Sequence, residues 1–221
     1  MEQRSVYSTS GNRSAIEINK VLKNTYLLLS MTLVFSAVCA WITMGMNLSG
    51  FARIGLMLAA FGSLFAVSKY ANSAAALPLT FLFTGLMGAA LGPLLSYYVA
   101  VGYPGLIMEA FGTTAVIFVA LSGYAITTKK DFSFLGGFLI VGLVFAIIAS
   151  IANIFFAVPA VHLAINAVIV FIFSGFILYD TSRIIKGGET NYVMATVSLY
   201  LNIYNLFTAL LALLNAFGGD D

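Results

Sequence analysis

The sequence predicts an all-α integral membrane protein, a single bundle of seven transmembrane helices. Only 8% of the 221 residues are charged, against roughly 25% in soluble domains. The mean hydropathy is +1.02. Seven apolar stretches fill most of the chain, and each is near the ~20 residues that cross a ~30 Å hydrocarbon core as a helix. A chain this apolar requires lipid as its solvent.

The predicted helices follow one another with short connections. They cover residues 24–46, 52–68, 76–100, 106–127, 134–156, 160–179 and 196–217. We expect residues 1–23 to form a cytoplasmic tail, residues 24–217 the single membrane domain, and residues 218–221 a short acidic tail. The first apolar run is too long for a signal-peptide core, so it is predicted to be an uncleaved anchor.

Small residues mark one face of the second and third helices. They are Ala59 and Ser63 in the second helix, and Gly85, Gly88 and Gly92 in the third. Small residues at this spacing let helix backbones approach closely in lipid, so we predict helix packing here. The alternative for the third helix is a hinge or a pore-lining face next to the proline that follows Gly92.

The ends of the later helices also carry local signals. Asp131 or Ser133 is the expected N-cap of the fifth helix, because short polar side chains accept hydrogen bonds from its first N–H groups. Gly187 and Gly188 are predicted to end the extended turn that follows the sixth helix.

Positive charges fall on alternate gaps between the predicted helices. They are Arg4, Arg13, Lys20 and Lys23 before the first helix, Lys69 after the second, Lys129 and Lys130 after the fourth, and Arg183 and Lys186 after the sixth. The other gaps hold only Arg53, which must snorkel from the start of the shortest helix. The positive-inside rule therefore places the N-terminus in the cytoplasm and the C-terminus outside.

Several function classes have no residues to support them. The chain carries no nucleophile elbow, zinc-protease motif or phosphate-binding loop. Asp180 has no second membrane aspartate with which to form a protease dyad. Cys39, the single cysteine, is predicted to be a packing residue. Basic residues are too scattered to bind nucleic acid. We therefore predict that the protein is not an enzyme and holds no cofactor.

Two carboxylates lie within the predicted spans, where an ionisable group is costly and a functional candidate by default. Glu109 lies about one turn into the fourth helix from the outer side, and Asp180 lies at the cytoplasmic end of the sixth. The alternative for both is a wetted interfacial group. Ser198, Asn202 and Asn205 follow at i, i+4 and i+7, so they share one stripe of the seventh helix. We expect Asp180 and Asn202 to be hydrogen-bonded.

Three further polar residues in the predicted helices are expected to have structural rather than functional roles. Asn153 and Asn166 are predicted to form interhelical hydrogen bonds. His162, the only histidine, lies near the outer end of the sixth helix and is predicted to be interfacial.

Several segments resemble a known membrane family. They are EAFGTT at 109–114, KKDFSFL at 129–135, FILYDT at 176–181 and SLYLN at 198–202, and they are similar to the Bax inhibitor-1 family. GGETNY at 187–192 and ATVSLY at 195–200 resemble its bacterial YccA branch in particular. The resemblance covers the chain after about residue 20, in the same order and spacing.

The resemblance implies a bundle in which a central, hairpin-like seventh helix is wrapped by the other six. It implies a multi-pass protein of the bacterial inner membrane, with a periplasmic C-terminus and the lipid bilayer around it. It also implies that the protein inhibits the membrane-anchored AAA protease FtsH and binds the FtsH complex. The basic and polar N-terminal tail is the expected handle for the protease.

A second activity implied by the resemblance is a pH-sensitive calcium or cation leak gated around Asp180. In leak-channel members two aspartates share a proton, and one of these positions falls on Asn202, where this sequence departs from the pattern. An aspartate beside an asparagine lacks the like-charge repulsion of a carboxylate pair. Calcium also prefers six to eight oxygen ligands. A latch from Asp180 to Lys69 or Arg183 would close the cytoplasmic mouth.

Overall fold

The computed structural model describes residues 15–46 and 48–218, and within them the predicted all-helical fold is confirmed. All seven helices are long and apolar enough to cross a membrane. They are α1 (Ala15–Met44), α2 (Gly50–Tyr70), α3 (Ala76–Ala100), α4 (Pro104–Thr128), α5 (Leu135–Phe156), α6 (Pro159–Ile185) and α7 (Tyr192–Gly218). The expectations for residues 1–14 and for the acidic tail at 219–221 fall outside the described residues.

Helix α1 begins at Ala15 and therefore includes residues that the sequence assigns to the tail. Helix α2 also extends beyond its predicted span, because the Ser49 side chain accepts a hydrogen bond from the Ala52 N–H at 3.2 Å and caps its first turn. Apolar length marks only the lipid-facing part of a helix. Polar turns that continue the helix at either end give no such signal.

Helix α7 lies at the centre of the bundle and packs against α6, α4, α1 and α3. Helix α2 packs on α3, and α5 packs on α6, one layer further out. The implied central position of the seventh helix is confirmed, but the structure differs from the implied arrangement in two respects. Four helices flank α7, and α7 is a single continuous helix.

Helices α1 and α3 approach closely along the predicted glycine face. A Cβ on Gly88 would meet the backbone of Ser36, and one on Gly92 would meet Ala40 and Thr43. The packing interpretation is thus confirmed, and α3 continues as one helix through Pro93. In α2 the prediction is half right. Its buried face carries Ala60, Ser63 and Val67, whereas Ala59 is exposed.

Hydrogen bonds between nearby residues hold the turns of the α4–α5 and α6–α7 connections. Neither Asp131 nor Ser133 caps α5, which begins at Leu135; instead Asp131 Oδ1 accepts the Ser133 N–H at 2.8 Å in a turn. Hydrogen bonds from Ser133 hold the pKa of Asp131 below its usual range.

The glycines after α6 end the helix as predicted. Gly187 has φ +72°, and the Gly188 N–H donates to the Arg183 carbonyl at 2.8 Å.

Side chains join three connections at one end of the bundle, which we call the α6–α7 end. Asn191, before α7, donates through Nδ2 to the Ala71 carbonyl at 2.9 Å, in the α2–α3 connection. Ser182, near the end of α6, donates to the Lys130 carbonyl at 3.2 Å, in the α4–α5 connection. The opposite end, where α2, α4 and α6 begin, is called the α3–α4 end.

Candidate functional site

The expected hydrogen bond joins α6 and α7 near the α6–α7 end. Asn202 Nδ2 donates to Asp180 Oδ2 at 2.7 Å. Asn202 is 5% exposed, and Asp180 is half-buried. A carboxylate that is shielded from water in this way requires a donor, and the amide of Asn202 supplies one. We call these two residues the Asp180–Asn202 pair.

The next residue of α6 extends the polar contacts to two further helices. The Thr181 hydroxyl lies 3.4 Å from the Tyr26 hydroxyl of α1 and 3.4 Å from the Ser122 hydroxyl of α4. Successive residues of a helix point about 100° apart, so Asp180 and Thr181 face different neighbours. This short segment of α6 thereby contacts α7, α1 and α4 at one level of the bundle.

The predicted latch onto Asp180 is not formed. Arg183 Nη2 lies 3.6 Å from Glu189 Oε2, and the guanidinium lies over the Tyr179 ring. Lys69 is exposed, with its ammonium over the Tyr70 ring. Among residues 15–46 and 48–218, Arg183 forms its ion pair with Glu189. Glu189 was not among the predicted site residues. The tight turn after α6 brings Glu189 back beside Arg183, and helical spacing alone does not reveal this.

The predicted stripe of α7 divides into residues with different partners. Only Asn202 reaches Asp180. Asn205 Nδ2 donates to the Leu201 carbonyl of its own helix at 2.8 Å, and Ser198 is half-buried. An asparagine side chain can bond to a carbonyl of the preceding turn, which removes its need for an interhelical partner.

The lone amides bond to backbone groups within five residues of their own positions rather than across to another helix, so the interhelical prediction for them is wrong. Asn153 Oδ1 accepts the Val158 N–H at 3.1 Å, just after the end of α5. Asn166 Nδ2 donates to the His162 carbonyl at 2.9 Å, one turn earlier in α6. His162 itself is exposed, as an interfacial residue would be.

Glu109 lies far from the Asp180–Asn202 pair. It precedes Ser122 by 13 residues on α4, about 20 Å along a helix at 1.5 Å per residue. Ser122 is the α4 residue at the level of Thr181. Glu109 is exposed near the α3–α4 end. The two intramembrane carboxylates therefore do not form one site.

Asn191 is a structural residue that the sequence analysis missed. Its Oδ1 accepts the N–H groups of Val193 at 2.9 Å and Met194 at 3.1 Å, so it caps α7. Its Nδ2 reaches the α2–α3 connection at both the Ala71 carbonyl and Asn72 Oδ1, the latter at 2.7 Å. An asparagine directly before an apolar helical run is a recognisable start signal.

An apolar layer lies directly beyond the Asp180–Asn202 pair. Ile177 on α6 and Leu206 on α7 have no exposed surface, and Phe173 packs against both. Leu211, further along α7, is also fully buried. In this conformation, the centre of the bundle is therefore filled by hydrocarbon on the side of the pair that faces the α3–α4 end.

The site offers little to a metal ion. Within the described residues, no three His, Cys, Asp or Glu side chains converge. The Asp180–Asn202 pair provides one carboxylate, and the amide presents its NH₂ group to that carboxylate. The hydrogen bond between these two side chains instead holds α6 against α7.

Comparisons with known proteins agree over nearly the full chain. The family model described as "Inhibitor of apoptosis-promoting Bax1" matches residues 18–219. A Vibrio cholerae protein named "Uncharacterized membrane protein" is 52% identical over 215 residues, 96% of each chain. An Escherichia coli K12 protein named "Modulator of FtsH protease YccA" is 46% identical over 211 residues, 96% of each chain. A protein from a second E. coli strain, with the same identity and coverage, is named "Inner membrane protein YccA".

Proposed function

This chain belongs to the Bax inhibitor-1 family, and we propose that it is an inner-membrane modulator of the FtsH protease. The observation that carries the proposal is the 46% identity to a protein named as an FtsH modulator, over 96% of both chains. This likeness extends over nearly the full length of both chains, which supports a shared fold and a shared role. The predicted inhibition of FtsH is part of the proposal.

The proposed action is binding rather than catalysis. The polar side chains at the α6–α7 end are occupied in joining helices and connections, as with Asp180, Asn191 and Ser182. The outer helices have broad apolar faces instead. Phe138 and Phe145 of α5, for example, are 75% and 69% exposed. Such faces can pack against lipid or against transmembrane helices of a membrane-anchored protease complex.

The cation-leak alternative has weaker support. Conduction through the bundle would require an ion to pass the layer of Ile177, Leu206 and Phe173, and charge is strongly disfavoured in hydrocarbon. Asn202 also lacks the second carboxylate on which proton sharing depends. We therefore propose the modulator function alone.

The test is the lifetime of a membrane substrate of FtsH in cells that lack, carry or overproduce this protein. We expect the substrate half-life to lengthen as the copy number rises, and FtsH to co-purify with the tagged protein from detergent extracts. The control is equal overproduction of a multi-span membrane protein that FtsH does not bind. An unchanged half-life at all three levels would refute the proposal.

A further inference from the structure

Two oppositely charged side chains at the α3–α4 end have no partner among residues 15–46 and 48–218. Arg53 of α2 and Glu109 of α4 are both exposed. Across the described residues, neither side chain forms a hydrogen bond or an ion pair, and the salt bridge that the structure contains joins two other residues. Both charges lie inside helices long and apolar enough to cross a membrane.

The two charges lie at a similar depth. Arg53 is the fourth residue of α2 and Glu109 the sixth of α4, which places them about 5 Å and 8 Å from the starts of their helices. Helices α2 and α4 begin at the same end, and α3 packs against both. The two side chains therefore lie at one level of the bundle, on two helices that both neighbour α3.

Glu109 lies on the exposed side of α4. The buried residues of α4 in this region are Leu106, Ala110 and Thr114, which form one face at helical spacing, and Glu109 lies off that face. A carboxylate on an outward face near the hydrocarbon boundary gains from a cationic neighbour, because the Coulomb attraction strengthens as water is excluded. An arginine suits it best, since guanidinium and carboxylate can form two parallel hydrogen bonds.

We infer that two copies of this chain associate in the membrane through this end, with Arg53 of each copy against Glu109 of the other. A two-fold arrangement forms the pair twice, because each copy presents both charges. The charge complementarity favours a second copy over a partner of one sign, which would neutralise only one of the two residues. The inference does not rest on the proposed modulator function.

Cross-linking between differently tagged copies tests the contact directly. In a Cys39→Ala background, one copy carries Arg53→Cys and the other carries Glu109→Cys, and membranes are treated with a short thiol cross-linker. We expect a covalent dimer that carries both tags. The matched control replaces Glu109→Cys by Phe155→Cys, at a position that is 81% exposed and lies at the same end of the bundle. Cross-linking no stronger than this control would overturn the inference.

Charge exchange tests the energetics. Arg53→Glu or Glu109→Arg alone should raise the dimer dissociation constant roughly tenfold, or about 1.4 kcal/mol, and the double exchange should restore it. The measurement is the dimer fraction by single-molecule photobleaching in phospholipid vesicles. If an exchanged variant does not accumulate in the membrane, Arg53→Gln and Glu109→Gln take its place and should weaken the dimer in the same direction. A monomer at all protein-to-lipid ratios, or a dimer that none of these variants weakens, would refute the pairing.

Discussion

The side chain at position 202 determines whether Asp180 meets a donor or a second acid. In the parent, the amide donates to the carboxylate at 2.7 Å. In Asn202→Asp, two carboxyl groups would occupy this contact, and they repel unless they share a proton. We expect the variant to lose stability relative to the parent as the pH rises from mildly acidic to mildly alkaline. The loss should reach roughly 1.5–3 kcal/mol, the contribution of a hydrogen bond to a charged group.

Thermal unfolding in detergent across that pH range measures this effect. Asn205→Asp is the matched control, because Asn205 bonds to the Leu201 carbonyl of its own helix and not to Asp180. The same pH dependence in both variants would contradict a specific Asp180–Asn202 contact.

Tyr200 joins three helices through one hydroxyl group. Its O–H donates to the Thr84 carbonyl at 3.2 Å, and its oxygen lies 2.6 Å from the Ser36 hydroxyl. Since a tyrosine has one proton to donate, Ser36 must be the donor in the second bond. Tyr200→Phe keeps the buried ring but leaves Ser36 without this acceptor. We expect a loss of roughly 1–3 kcal/mol.

A double-mutant cycle with Ser36→Ala measures the coupling by thermal unfolding. The two losses should be less than additive, because either change removes the same hydrogen bond. Tyr204→Phe is the control, since Tyr204 contacts the Tyr200 ring and forms no hydrogen bond through its hydroxyl in the described chain. Additive losses would show that the hydroxyl groups of Tyr200 and Ser36 act independently.

Helix α3 packs against α1 because Gly88 has no side chain. A Cβ at Gly88 would lie 2.8 Å from the carbonyl carbon of Ser36, and backbone cannot move aside as a flexible side chain can. Gly88→Ala should therefore separate the two helices and destabilise the fold by roughly 1–3 kcal/mol, the usual cost of overpacking. Gly62→Ala is the matched control, because a Cβ there meets nothing within 4 Å. A lower melting temperature for Gly62→Ala than for Gly88→Ala would contradict this account.

Helix α7 starts where Asn191 both caps it and bridges to the α2–α3 connection. Asn191→Asp keeps the acceptor for the Val193 N–H but loses the donor to the Ala71 carbonyl, whereas Asn191→Ala loses both. We expect the alanine variant to cost about 0.5–2 kcal/mol more than the aspartate variant, the worth of the cap. Hydrogen exchange of the α2–α3 connection should increase in both variants. If exchange increased in the alanine variant alone, the α2–α3 connection would be protected by the cap on α7 and not by the hydrogen bond from Asn191 to the Ala71 carbonyl.

For the whole molecule, sequence reasoning was most successful where the physics is local. Apolar length predicts seven helices in order, and the spacing of Gly85, Gly88 and Gly92 predicts a packing face. The Asp180–Asn202 contact followed from one polar stripe and one carboxylate. The burial of α7 and the outer positions of α2 and α5 depend on long-range packing, which helical periodicity does not encode. For the same reason the sequence assigned Arg183 to Asp180 rather than to Glu189.

The whole bundle also predicts how the protein behaves towards ions. An ion that reaches the Asp180–Asn202 pair next meets Ile177, Leu206 and Phe173, which pack together without exposed polar groups. One carboxylate cannot replace the six to eight oxygens that calcium prefers. We therefore expect calcium flux into proteoliposomes to equal that into empty liposomes at mildly acidic and at mildly alkaline pH. Asp180→Asn is expected to give the same result as the parent. The opposite result would be a calcium flux that exceeds that of empty liposomes, depends on pH and falls in Asp180→Asn. It would show that this apolar layer opens. Such flux would identify cation conduction, rather than protease modulation, as the function of this bundle.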